Sequence, residues 1–303
     1  MAEIVGCMAM SHAPQLLTPP DKWSELPTRI KGPYHPKPGI EAELTPESMS
    51  AHAARCHAAI GALRDRLAQW APDTVVILGD DQNENILRDN MPPFTIFIAD
   101  EVDATLRFRY FGEKDTDQMT RYRVNGPLAN ELVTGLMGQG FDPSWSRETR
   151  YHAGLGHAFG RVLNFLMPEA DRAIIPVMVN TYFPPAPSAK RCFQFGAALG
   201  RSIAASTNAE RVVMIASGGL SHTLIDENLD QDFIAALVAQ DADYLMAIPD
   251  DVLTAGTSEI RNWIAVAGAA GFGGTMVDYV PCYRNADGVG CAMGFAYWES
   301  QAA

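Results

Sequence analysis

Three short apolar runs, at residues 74–78, 173–179 and 212–216, alternate with stretches whose apolar residues recur at helical spacing, and this alternation constrains the fold most. Runs of that length are too short for core helices and read as strands buried on both faces. A further run at 4–10, a β-like region at 94–110 and C-terminal runs at 276–283 and 290–298 extend the set. Helices are expected at 46–70, where Thr45 and Pro46 mark the start and Ile60, Leu63 and Leu67 form a stripe, and at 127–138, 157–166, 188–204, 231–239, 241–247 and 258–269. The pattern predicts an α/β fold, a single domain over 1–303 with a central, mostly buried mixed β-sheet flanked by helices on both faces. Residues 17–46 break the rhythm with several prolines and the turn signals Gly32-Pro33 and His35-Pro36, as a lid or substrate loop does.

With 303 residues, 47% of them hydrophobic, such a domain can bury its own core. The five cysteines are scattered without a C-x-x-C pair, which argues against zinc or a redox dithiol and for a reducing compartment. The N-terminus lacks a signal-peptide pattern and no apolar run reaches membrane-spanning length, so a cytoplasmic location is expected. A net charge of −13 speaks against nucleic-acid or anionic-membrane partners.

Polar residues gather where the apolar runs end, which is where open α/β sheets bind ligands. His12 follows the first strand; the cluster Gly79-Asp80-Asp81-Gln82-Asn83-Glu84-Asn85 follows the second; Ser217-Gly218-Gly219-Leu220-Ser221-His222 follows another. His152 opens a loop, whereas His52 and His57 fall inside the expected 46–70 helix. Glu259 begins a largely apolar helix, where it serves either as a capping glutamate beside Thr257 and Ser258 or as a functional carboxylate. Imidazoles and carboxylates converging on one cleft hold a divalent metal with positions left open, or act as general acid and base. Ser217 and Ser221 near His222 raise a serine hydrolase, but no G-x-S-x-G elbow surrounds them.

Six segments in order, Ser11-His12-Ala13-Pro14, residues 75–84, Tyr151-His152-Ala153, residues 175–180, Ser217 to His222, and Gly256-Thr257-Ser258-Glu259 with Trp263, resemble the class III extradiol ring-cleaving dioxygenases of the protocatechuate 4,5-dioxygenase β subunit type. The resemblance implies a non-heme Fe(II) enzyme that opens a catechol-like or aminophenol-like ring with O₂. His12 and Glu259 would be iron ligands, His222 the acid–base residue and His152 a catalytic assistant. It also implies a homodimer and, in some relatives, a small α subunit. Gln82 occupies the position of the family's second histidine ligand. Glu84, two residues on and on the same side of an extended segment, is the alternative ligand. Asp81, Asn180 and Ser221 are expected to bind substrate. A glutamine ligand weakens iron binding, and a second carboxylate favours Mn²⁺ or Mg²⁺. An altered or absent metal would make the chain a lyase or hydrolase on a cyclic substrate or a non-catalytic binding protein; without metal, Asp80, Asp81, Gln82 and Glu84 would bind a polar substrate and His222 would remain an acid–base group.

Overall fold

In a computed structural model describing residues 1–27, 37–106, 119–150 and 154–299, successive residues of β2 (Thr74–Gly79) point to opposite faces of a sheet. Val76 and Leu78 enter one core, Val75 and Ile77 another. The neighbouring strands β7 (Ala173–Val179) and β8 (Arg211–Ser217) run parallel to β2, and β8 is also parallel to β1 (Glu3–Met10). On the far side of β1 the sheet continues antiparallel through β11 (Val289–Trp298) to β10 (Thr275–Tyr283). Beyond β7 come β3 (Phe94–Phe97) and β6 (Ser144–Ser146), and the short β9 (His222–Leu224) pairs with β11. The result is a mixed nine-stranded sheet in the order β10-β11-β1-β8-β2-β7-β3-β6 with β9 alongside, in a single α/β domain.

Helices cover both faces, so the central strands are buried throughout and carry nearly continuous apolar sequence. α1 (Pro46–Trp70) and α3 (His157–Leu166) pack Leu63, Leu67, Phe159 and Leu163 into the core with Val75 and Ile77. α2 (Gly126–Met137), α4 (Ala189–Ala205), α5 (Glu227–Ala239) and α7 (Ile260–Ala270) pack Leu132, Phe195, Phe233 and Trp263 into the other; α6 (Ala242–Ala247) adds Leu245. Thr45 caps α1 by accepting the Ser48 N–H.

The structure adds local detail to three segments. The β-like region splits: β3 joins the main sheet, while β4 (Glu101–Ala104) pairs with β5 (Thr120–Arg123) in a separate ribbon, and 107–118 lie outside the described residues. Within 17–46 the described residues form short 3-10 turns at Pro20–Glu25 and Ile40–Leu44, the former anchored by buried Trp23, whose indole donates to the carbonyls of Gln15 and Thr18; 28–36 fall outside the description. The helix expected from 258 begins at Ile260, after a 3-10 turn over Ala255–Thr257. Among the described residues no helix is long and apolar enough to cross a membrane.

Candidate metal centre and active site

Because β1, β8 and β2 are parallel neighbours in register, with Met10 opposite Ser217 and Leu78 opposite Ala216, their C-terminal ends release three loops side by side. Those loops carry His12, then Gly218 to His222, then Asp80 to Glu84. Glu259 comes from a separate part of the chain, as the N-cap residue of α7. It makes no capping hydrogen bond, so the capping role that its position allowed is not the one its carboxylate takes.

The Glu259 carboxylate turns instead to the Gly218-Gly219 loop, where Oε2 accepts the Gly219 N–H at 2.9 Å. Gly218 has φ +102°, and a Cβ there would overlap that carboxylate, so the backbone comes this close only as glycine. Ser217 gives its hydroxyl proton to the Ala158 carbonyl, leaving its lone pair for His12 Nδ1 at 2.9 Å. That fixes the tautomer of His12 with Nε2 unprotonated, and Nε2 faces Glu259 Oε2 at 3.8 Å. His12, Asp80 and Glu259, all buried, bring one donor atom each to within 4.8 Å of one another.

Both Asp80 carboxylate oxygens are buried without a hydrogen-bond partner; the Gln82 amide lies near, but not in bonding geometry. Burial, and then the neighbouring Glu259 charge, hold the Asp80 carboxyl well above its ordinary range. Burial likewise pushes Glu259 up to about 7, against the pull of the Gly219 N–H, Arg161 and Gln82. Burial, followed by the charges of His157, Arg161 and His222, keeps His12 neutral. Two desolvated carboxylates beside a neutral imidazole form an oxygen-rich set with one nitrogen, which suits a divalent first-row metal.

The turn after β2 decides which side chain reaches this point. Asp81 folds back to accept the backbone N–H groups of Glu84, Asn85 and Ile86, and Asn83 takes a left-handed conformation at φ 62°. The segment is therefore coiled rather than extended, and the same-side relation of residues 82 and 84 does not hold. Glu84 points away to His157, with Oε2 3.0 Å from Nδ1. Gln82 lies beside Glu259, donating its amide to Oε1 at 3.2 Å. Asp80, one residue beyond the strand, stands with the other two donors instead.

The expected substrate contacts also have local tasks. Asp81 closes the turn just described. Asn180 accepts the Phe183 N–H and donates to the carbonyls of Phe183 and Pro185, holding the proline-rich turn after β7. The Ser221 hydroxyl donates to Asp230 at 2.6 Å, not to His222, which leaves no serine nucleophile paired with that imidazole. His222 itself donates from Nδ1 to the Leu220 carbonyl at 3.3 Å and presents Nε2 3.6 Å from Glu259 Oε1. Burial lowers its pKa, which keeps the imidazole in the form that accepts a proton. His152 lies outside the described residues.

His157 is the histidine that pattern reading overlooked. It opens α3 after the small residues Gly154 and Gly156, and its ring meets that of His12 edge-on at a centroid distance of 5.0 Å. Gly156 leaves room for the Glu84 carboxylate, which a Cβ at that position would displace. One turn on, Arg161 donates to the His12 carbonyl at 2.9 Å. The available signal was positional: a histidine and an arginine four apart on the buried face of a helix that starts at a glycine loop. A cavity of about 300 Å³ opens over the centre, lined by His12, Gln82, His157, His222, Glu259 and Arg284 among others.

A family model described as the catalytic LigB subunit of aromatic ring-opening dioxygenase matches residues 32–289. The 2,3-dihydroxyphenylpropionate/2,3-dihydroxicinnamic acid 1,2-dioxygenase of Paraburkholderia xenovorans strain LB400 is 31% identical over 196 residues, covering 64% of this chain and 54% of that protein. The enzyme of the same name from Klebsiella pneumoniae is 30% identical over 160 residues, covering 52% of this chain and 46% of its own length. The chain thus spans about half the length of these curated relatives. Among solved structures, the uncharacterized protein JW3007 of Escherichia coli K12 aligns over 97% of this chain and 99% of its own, at 11% identity and a TM-score of 0.47.

Proposed function

Since this chain belongs to the LigB family of catalytic subunits of aromatic ring-opening dioxygenases, we propose that it opens the ring of a catechol-like or aminophenol-like substrate with O₂. The observation that carries the reading is the buried set of His12, Asp80 and Glu259, with donor atoms within 4.8 Å of one another, of which His12 and Glu259 line the same cavity as His222. The names of the two relatives, both acting on a dihydroxylated ring, support the same substrate class.

His12, Asp80 and Glu259 would hold Fe(II), which when bound supplies a seat for two adjacent ring oxygens and the electrons that activate O₂. The rest falls to the chain. His12 is held by Ser217 at Nδ1 and by Arg161 at its carbonyl, and Glu259 by Gly219 and Gln82, so the donors are set before a cation arrives. His222 Nε2 takes the proton of the substrate hydroxyl that stays protonated on binding and returns it to the ring-opened product. His157, fixed by Glu84 at Nδ1, presents its remaining edge beside His12 as a second polar contact for the reacting centre. The apolar wall from Ala13, Pro14, Leu26 and Pro27 limits water around the ring.

Anaerobically purified protein loaded with Fe(II) should consume O₂ with a panel of catechols, hydroxylated benzoates and aminophenols and give yellow ring-opened products. No uptake across the panel by protein of verified metal content would overturn the reading.

A further inference from the structure

Arg284 follows β10, at the mouth of the hairpin to β11, where its N–H donates to the Val289 carbonyl at 2.7 Å. Arg284 lines the same cavity as Gln82, His222 and Glu259. Nη1 donates to the Leu26 carbonyl at 2.8 Å, whereas Nε is buried without any acceptor. Among the described residues no carboxylate lies within ion-pair distance of it. The fully buried arginines differ from this half-buried one: Arg161 lies in the field of Glu84 and Glu259, and Arg261 stands 3.8 Å from Asp250. The titratable group whose charge would bear on Arg284 is the thiol of Cys291, which burial keeps protonated and therefore uncharged.

A guanidinium stays charged at any physiological pH, so removing it from water without a counter-ion is costly. In a protein with 36 acidic side chains against 23 basic ones, a cavity arginine left without an acid has a place for an anion brought from outside. We propose that Arg284 selects the substrate: it binds a carboxylate on the ring or its side chain while the ring oxygens lie over His12, Asp80 and Glu259. A planar carboxylate matches the planar guanidinium, and about 300 Å³ accommodates a single substituted ring. This rests on the proposed ring-opening reaction and adds the class of substrate.

The test is anaerobic binding to the Fe(II)-loaded protein, by calorimetry, of a dihydroxybenzoate and a dihydroxyphenylpropionate, each against its methyl ester. The unmodified protein should bind at least one acid about tenfold or more tighter than its ester. Arg284→Met should bring that ratio to near one, and Arg284→Lys, which keeps the charge, should restore part of it. Equal binding of acid and ester by the unmodified protein, or an unchanged ratio in Arg284→Met, overturns the proposal. If uncharged catechols are ring-opened while the acid-to-ester ratio is one, the reaction stands and the role of Arg284 falls. If no catechol, acid or ester is bound or opened by fully loaded protein, both fall.

Discussion

Gln82 donates its side-chain amide to Oε1 of Glu259 at 3.2 Å, so it orients from the side a carboxylate that is a candidate metal ligand. Asp80, two residues earlier, carries the buried oxygens without partners. Asp80→Ala, His12→Ala and Glu259→Ala should therefore each abolish stoichiometric metal binding, while Gln82→Ala should retain one metal with affinity lowered about 10–100-fold. Metal analysis with titration calorimetry reads both. Full affinity in Asp80→Ala together with loss in Gln82→Ala would return the third ligand to Gln82.

Glu84 accepts from both the backbone N–H and the ring of His157. Glu84→Ala leaves these buried groups short of their acceptor and should cost about 1–3 kcal/mol in urea denaturation, with metal stoichiometry unchanged. Glu84→Gln, which keeps an acceptor, should cost less. Metal loss in Glu84→Gln would place the carboxylate in the coordination sphere after all.

Asp230 supports the His222 loop from beneath, accepting the Ser221 N–H at 2.9 Å, the Ser221 hydroxyl at 2.6 Å and the Tyr279 hydroxyl at 2.8 Å. Burial outweighs these donors and pushes its carboxyl from the ordinary 3.8 up to about 6. Between these values the unfolded chain has released the proton and the folded chain still holds it, so stability contributed by this group falls as pH rises and levels off above about 6. Asp230→Asn, which cannot ionise, should remove that part of the slope. Denaturation midpoints from pH 4 to 7 compare the two proteins, and parallel curves would refute the assignment.

Asp81 gathers three backbone N–H groups at the turn that aims Asp80, Gln82 and Glu84. Asp81→Ala should cost about 1–3 kcal/mol and weaken metal binding through misplacement of its neighbours, and Asp81→Asn should recover much of both. If Asp81→Ala binds metal and resists denaturant as the parent does, the turn is held by other contacts.

The alternation of strand and helix was legible because burial on both faces demands continuous apolar runs, and those runs survive in the sequence wherever the sheet is central. Thus β2, β7 and β8 and the full length of α1 match their sequence pattern within a residue or so. The short edge segments were not legible: β3 and β4 read as one β-like stretch, since nothing local says which strand pairs with the main sheet. At the site, His12, His222 and Glu259 stood out by position and by resemblance, at strand ends and a helix start.

What the sequence by itself determined is the inventory and its placement: a mostly buried central sheet whose strand ends release histidines and acids into loops. Only the tertiary structure decided which of Asp80, Gln82 and Glu84 faces His12, because that depends on the turn closed by Asp81 and on His157 drawing Glu84 away. It also brought Arg284 to the cavity of His12, a meeting of residues remote in sequence. The physical reason is one of range. Periodic burial is written every two to four residues along the chain, whereas the pairing of buried charges is set by contacts across the folded core.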